Sequence, residues 1–96
     1  MSGFEYTPKN ITIVNYTLTL SNTWYKVLSG NSSIRKWRVK ARESTDNSFD
    51  IDFNNTSHTT FMTNGGQGIS YDNCALPDIY CRSSTAGTII EIEYWD

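Results

Sequence analysis

Lys36-Trp37-Arg38-Val39-Lys40-Ala41-Arg42 sets a cation at every even position and an apolar side chain at every odd one. Side chains of an extended strand point alternately to opposite faces, so this run describes a strand with one apolar and one strongly basic face. A helix would scatter the same residues around its circumference. The strand runs from about Ser33 to Arg42, and it decides the fold class because the same period recurs on both sides of it.

Downstream, Asp46-Asn47 breaks the run, and Phe49, Ile51 and Phe53 then alternate with Asp50 and Asp52, which predicts a hairpin of two strands joined by a short polar turn. Asn54-Asn55-Thr56-Ser57 reads as a loop, Thr59 to Thr63 as a short strand, and Asn64-Gly65-Gly66-Gln67-Gly68 as a flexible connection. Short strands follow near Ile69–Tyr71 and Ile79–Arg82, separated by Asp72-Asn73 and Pro77. From Thr88 to Trp95, Ile90, Ile92 and Tyr94 alternate with Glu91, Glu93 and Trp95.

Upstream, Thr23 to Leu28 reads as a strand closed by the turn-forming Ser29-Gly30-Asn31-Ser32. Before it, Ile11 and Ile13 fall on one face while Val14, Tyr16, Leu18 and Leu20 fall on the other, and this change of parity predicts a bulge near Asn15. No stretch keeps a helical period over three turns. The expected fold is all-β: an antiparallel β-sandwich or jelly-roll-like barrel of about seven or eight short strands over residues 10–96, preceded by a short N-terminal arm, 1–9.

A chain of 96 residues is one domain. At this size only about 60–65 % of the unfolded chain's surface is buried, which leaves a thin stability margin. A hydrophobic fraction of 38 % is low, but three Trp, six Tyr and four Phe supply much buried area per residue. The net charge of −2 argues against general affinity for nucleic acid or anionic membranes, and no run approaches the roughly 18 apolar residues of a membrane helix. Met1-Ser2-Gly3-Phe4-Glu5 lacks the basic and apolar regions of a signal peptide, so a cytoplasmic place of synthesis is expected.

Two charged rows stand out. Lys36, Arg38, Lys40 and Arg42 form the basic one, and Glu91 and Glu93 an acidic one. If their strands are neighbours, the rows pair across the sheet at roughly 0.2–1 kcal/mol per pair. The functional alternative is that the basic row meets an acidic partner.

The inventory for catalysis is short. His58 is the single histidine and sits in a polar loop, and no serine lies in a Gly-X-Ser-X-Gly context. The glycines of 64–68 lack the Lys-Ser/Thr that completes a phosphate loop. Asp50 with Asp52, and Asp72, Asn73 and Asp78, are oxygen-rich but without the spacing of a calcium loop. Cys74 and Cys81 flank the Pro77 turn and cannot complete a zinc site by themselves. Reduced, buried thiols are expected, with a disulfide formed after release from the cell as the alternative. No enzyme activity, cofactor or metal is expected.

The segment from Asp78-Ile79-Tyr80-Cys81 through Arg82-Ser83-Ser84-Thr85-Ala86-Gly87 to Thr88-Ile89-Ile90-Glu91-Ile92-Glu93-Tyr94-Trp95 resembles the ending of small virion proteins of tailed bacteriophages. Leu20-Ser21-Asn22-Thr23-Trp24-Tyr25-Lys26-Val27-Leu28 and the Ile34–Arg42 strand are similar to other parts of that group, so the likeness covers about Leu18 to Trp95. The group includes capsid decoration (cement) proteins, head fibres, and neck or tail accessory proteins, many of them trimeric. The resemblance implies a β-sandwich virion protein, assembled in the host cytoplasm, that binds the major capsid protein or another virion protein. It implies no role with nucleic acid or membrane. A homotrimer would be its expected oligomer. Partner contacts are then expected from Phe4 and Tyr6 in the arm, and from Lys36, Arg38, Lys40 and Arg42. The alternative function is a carbohydrate-binding or host-adhesion module, with Trp24, Tyr25, Tyr71 or Trp95 stacked on sugar rings.

Overall fold

The computed structural model describes residues 10–42, 48–54, 61–63 and 68–95. They form β1 (Ile11–Leu18), β2 (Tyr25–Leu28), β3 (Lys36–Ala41), β4 (Phe49–Phe53), β5 (Phe61–Thr63), β6 (Gly68–Asp72), β7 (Ile79–Arg82) and β8 (Thr88–Trp95). The first sheet has the order β1-β8-β3-β6 and the second β2-β7-β4-β5, with every pairing antiparallel. That pair of orders is the eight-stranded jelly roll, in which the chain crosses repeatedly between two sheets.

The alternation read from the sequence supplies the core. Trp37, Val39 and Ala41 of β3 are buried, as are Ile90 and Ile92 of β8, Phe49 and Ile51 of β4, and Ile79 and Cys81 of β7. Trp37 is the largest fully buried side chain. Its ring lies 4.8 Å from Tyr71 and 5.5 Å, edge-on, from Phe53, and its indole N–H donates to the Cys74 carbonyl at 3.0 Å. The apolar body is thereby buried and the polar handle satisfied.

Three expectations are corrected. Strands β3 and β4 are not a hairpin: they lie in different sheets, β3 between β8 and β6, β4 between β7 and β5. The 42–48 connection is much longer than the two-residue loop that favours a hairpin, and crossing between the sheets lets both apolar faces meet in one core. Strand β1 has no bulge at Asn15, since its pairing with β8 is unbroken from Ile11 opposite Trp95 to Leu18 opposite Thr88. Ile11 and Ile13 simply point outward, and among the described residues a register shift lies instead in β2, between Lys26 and Leu28. Cys74 is exposed and Cys81 buried, both as free thiols. Burial, reinforced by the nearby Asp50 carboxylate, pushes the Cys81 thiol far above its ordinary range.

Expected strand ends are trimmed: Trp24 precedes β2, and β3 begins at Lys36 rather than Ser33. The arm, His58 and the glycines Gly65 and Gly66 lie outside the described residues.

The ends of the sandwich are tied by loop-to-loop contacts. The turn after β7 closes through buried hydroxyls: Ser83 donates to the Ser48 carbonyl at 2.9 Å, and Thr88 to the Thr85 carbonyl at 2.8 Å. Gly87 takes a φ of 86°, where a side chain would be strained, and its N–H reaches the Leu18 carbonyl at 2.8 Å. Elsewhere the 29–35 and 73–78 segments are laced together. Asn31 donates to the Leu76 carbonyl at 3.0 Å and Leu76 to the Ile34 carbonyl at 2.9 Å. Gly30 donates to Asp78 Oδ1 at 2.7 Å, and that hydrogen bond is the main cause that holds the Asp78 carboxyl below its usual range, with Lys26 adding to it. A Cβ on Gly30 would stand 2.8 Å from the Leu76 carbonyl oxygen, so this close approach requires glycine.

Candidate functional site

The outer face of the first sheet collects the chemistry. Because β8 lies between β1 and β3, its outward residues form cross-strand rows with both. One row is Ile11, Trp95, Lys36 and Asp72; the next is Ile13, Glu93, Arg38 and Ser70; a third is Asn15, Glu91, Lys40 and Gly68. The basic and acidic rows of the sequence therefore are neighbours, as their pairing required.

Each cation of the basic row has a carboxylate. Arg38 meets Glu93 at 2.5 Å, Lys40 and Arg42 both approach Glu91 at 3.9 Å, and Lys36 lies 4.0 Å from Asp72. Lys36 also sits 5.0 Å above the Trp95 ring. The glutamates are the more buried partners, with side chains 14 % and 18 % exposed, and the cations lie over them while staying partly in solvent themselves. A row neutralised in this way offers a partner little net charge.

On the β1 side the same glutamates face uncharged side chains, Ile13 and Asn15. Ile11 and Ile13 are each 57 % exposed at the edge of the sheet, and Leu20 just beyond β1 is 62 % exposed. These isoleucines were legible only in part: the sequence placed them on one face but not on an outer one. The signal available was the absence of any charged residue between Ile11 and Leu18.

The depressions in the described surface include two beside charged side chains. One of about 310 Å³, lined by Lys36, Trp37, Arg38, Ser70, Asp72 and Trp95, lies at the end of the charged face. The other, about 110 Å³, lies at the turn after β7. Beside it, Arg82 donates to Asp50 Oδ2 through Nε at 3.0 Å and through Nη2 at 2.8 Å, with the guanidinium 4.7 Å over the Trp24 ring. This Asp50–Arg82–Trp24 cluster was not foreseen, because it depends on β4 and β7 being adjacent.

The aromatics considered for sugar stacking divide in two. Tyr71 packs on Trp37, and Tyr25 packs on Tyr16 while its hydroxyl is bonded at the Thr19–Leu20 turn. Trp24 and Trp95 are each covered on one face by a cation. Among the described residues no group of three His, Cys, Asp or Glu side chains could hold a metal. No described helix is long and apolar enough to cross a membrane. Phe4 and Tyr6 lie outside the described residues.

No family model matches the chain, and no curated protein matches it. Solved structures do. A de novo designed double-stranded β-helix is 14 % identical, with a TM-score of 0.53 over 92 % of this chain and all 100 % of that one. A structure of pili formed by Bacillus endospore appendages, described as disulfide-linked, is 13 % identical with a TM-score of 0.52 over 90 % of this chain and 85 % of that one. A Neisseria meningitidis protein is 12 % identical with a TM-score of 0.52 over 93 % of this chain and 79 % of that one. At such identities the likeness shows the fold alone, a double-sheet antiparallel sandwich.

Proposed function

We propose that the chain is a structural protein of a tailed-phage particle, decorating the capsid surface by binding the major capsid protein across subunit boundaries. The observation that carries this reading is the division of the outer face of the first sheet. Its cations and carboxylates satisfy one another, while the adjoining edge leaves Ile11 and Ile13 uncharged and exposed. Such a surface suits attachment to another protein better than turnover of a small substrate. The role would be mechanical: a rigid sandwich adds contact area that must be lost before neighbouring subunits separate, and many copies multiply modest contacts. The resemblance of the 78–95 segment to phage virion proteins supplies the phage setting. Sugar binding is less well supported, because the exposed tryptophan faces it needs are shared with Arg82 and Lys36.

The test is immunogold electron microscopy with an antibody to the purified chain, applied to lysates of cells that express its gene in its native genome. Label over the shells of assembled particles is expected. Label at a neck or tail would move the role to an accessory protein, and label confined to unassembled protein would overturn the virion reading.

A further inference from the structure

The 29–35 and 73–78 segments meet along a seam whose two ends are clamped differently. Its backbone bonds run in order: Asn31 N–H to the Leu76 carbonyl at 3.0 Å, Leu76 N–H to the Ile34 carbonyl at 2.9 Å, and Cys74 N–H to the Arg35 carbonyl at 2.9 Å. Beyond the last of these, the Arg35 guanidinium donates to the Asn73 carbonyl at 3.2 Å. Beyond the first, the Gly30 N–H donates to Asp78 Oδ1 at 2.7 Å. A guanidinium keeps its charge throughout the range in which a carboxylate titrates. The seam therefore has one permanent clamp and one that a proton weakens, because a hydrogen bond to an ionised acceptor is roughly twice as strong as a neutral one.

The surroundings of Asp78 leave its own charge in control of that clamp. From β2 comes the Lys26 ammonium, 3.5 Å from Oδ2. From the end of β4 comes the uncharged Asn54, whose side-chain oxygen accepts the Asp78 N–H at 3.1 Å. The next carboxylate along β4, Asp52, stands opposite Tyr80 rather than Asp78. The Gly30 bond first, and Lys26 after it, hold the Asp78 carboxyl below its usual range, although burial acts the other way. A carboxyl lowered on folding contributes stability above its unfolded value and loses it as pH falls through the folded one. The clamp is thus complete at neutral pH and released by acid.

We propose that this seam is an acid-sensitive latch: protonation of Asp78 releases the Gly30 end, and the seam opens from there while the Arg35 end stays closed. Gly30 has no side chain with which to grip the opposite segment, so its hydrogen bond to Asp78 is its hold. The first backbone bond that opening then reaches is the one between Asn31 and Leu76. Leu76 is 4 % exposed and part of the core, so opening from this end loosens the cover over apolar surface. The latch is independent of the particle role and stands or falls without it.

The experiment is amide hydrogen exchange by NMR on the isotope-labelled full chain, corrected for intrinsic rate, from about pH 7 to about pH 2. Protection of Gly30 and Asn31 should fall about threefold to tenfold as Asp78 takes up its proton. That fall should come at a higher pH than any at Gly87, whose N–H is bonded to the Leu18 carbonyl, and Cys74 should follow Gly87. Asp78→Asn, neutral at every pH, should show the lowered protection already at neutral pH, with no separate acid step at Gly30. Arg35→Gln should loosen Cys74 without moving the acid step of Gly30. Loss of protection at Gly30, Cys74 and Gly87 together, an acid step that persists in Asp78→Asn, or Gly30 and Asn31 unmoved through the titration would overturn the proposal.

Discussion

Strand β8 has two flanks, and the same two glutamates see different neighbours on each. Toward β3, Glu91 and Glu93 meet Lys40, Arg42 and Arg38; toward β1, they stand opposite Asn15 and Ile13. Both flanks are full antiparallel ladders, so the backbone does not distinguish them. Side chains do. On the β3 flank, charge of one sign on each strand opposes a one-residue slip, which would turn the charges into the core. On the β1 flank no charge fixes or protects anything, and the outward surface is aliphatic. The difference teaches that the charged half of this face serves the fold, while the uncharged edge has neither a counter-charge opposite it nor, among the described residues, a strand beyond it.

Core substitutions behind each flank would break the comparison most severely. Trp37→Ala, on the inner face of β3, should cost about 3–5 kcal/mol, since it empties a buried site and leaves the Cys74 carbonyl without its indole donor. Small domains have only about 5–15 kcal/mol in total, so urea unfolding followed by circular dichroism should show a folded population greatly reduced. A loss below about 1 kcal/mol would mean that Trp37 is not the centre of the core. Val14→Ala, on the inner face of β1, removes methyl groups from a half-buried position and should cost about 1 kcal/mol in the same assay. Equal costs at the two positions would contradict the picture of β1 as a lightly held edge.

Much of this arrangement was legible in the sequence. Period-2 alternation of Trp37, Val39 and Ala41, and of Ile90 and Ile92, gave the strands and their inward faces, because burial on one side imposes that period directly. The pairing of the basic row with Glu91 and Glu93 was legible as a condition. That β3 and β8 are neighbours depends on how the chain crosses between sheets, and alternation does not record crossings. The same blindness produced the expected hairpin between β3 and β4. At Asn15 the misreading had another cause: outward isoleucines imitate inward ones when apolar character is the only signal, and the parity change looked like a bulge. Cys74 and Cys81 look alike in sequence, and only Cys81's place on the inner face of β7 separates the inert thiol from the exposed one.

A double-mutant cycle at Arg38 and Glu93 sharpens the charged flank. Arg38→Ala, Glu93→Ala and the double variant should give a coupling of roughly 0.2–1 kcal/mol, toward the low end because the arginine side chain is 44 % exposed and screened by solvent. The coupling should shrink at about 1 M salt, where the screening length is about 3 Å. Absent coupling at low salt would remove the account of why this flank keeps its register.

The smallest stability effect is expected at Ile13, and it discriminates best between a residue that serves the fold and one that serves association. Ile13→Thr keeps a β-branched side chain at an exposed strand position, so the isolated chain should change by no more than about 0.5 kcal/mol. Association adds a contribution that depends on concentration, because whatever binds the folded chain stabilises it by mass action. If Ile13 contributes to contact between copies in solution, the melting temperature of the wild-type chain rises with protein concentration, and that of Ile13→Thr rises less. The two should then converge on dilution and separate on concentration. A gap of constant size over a hundredfold range would place the role of Ile13 within its own chain, and the two flanks of β8 would then differ in composition without differing in purpose.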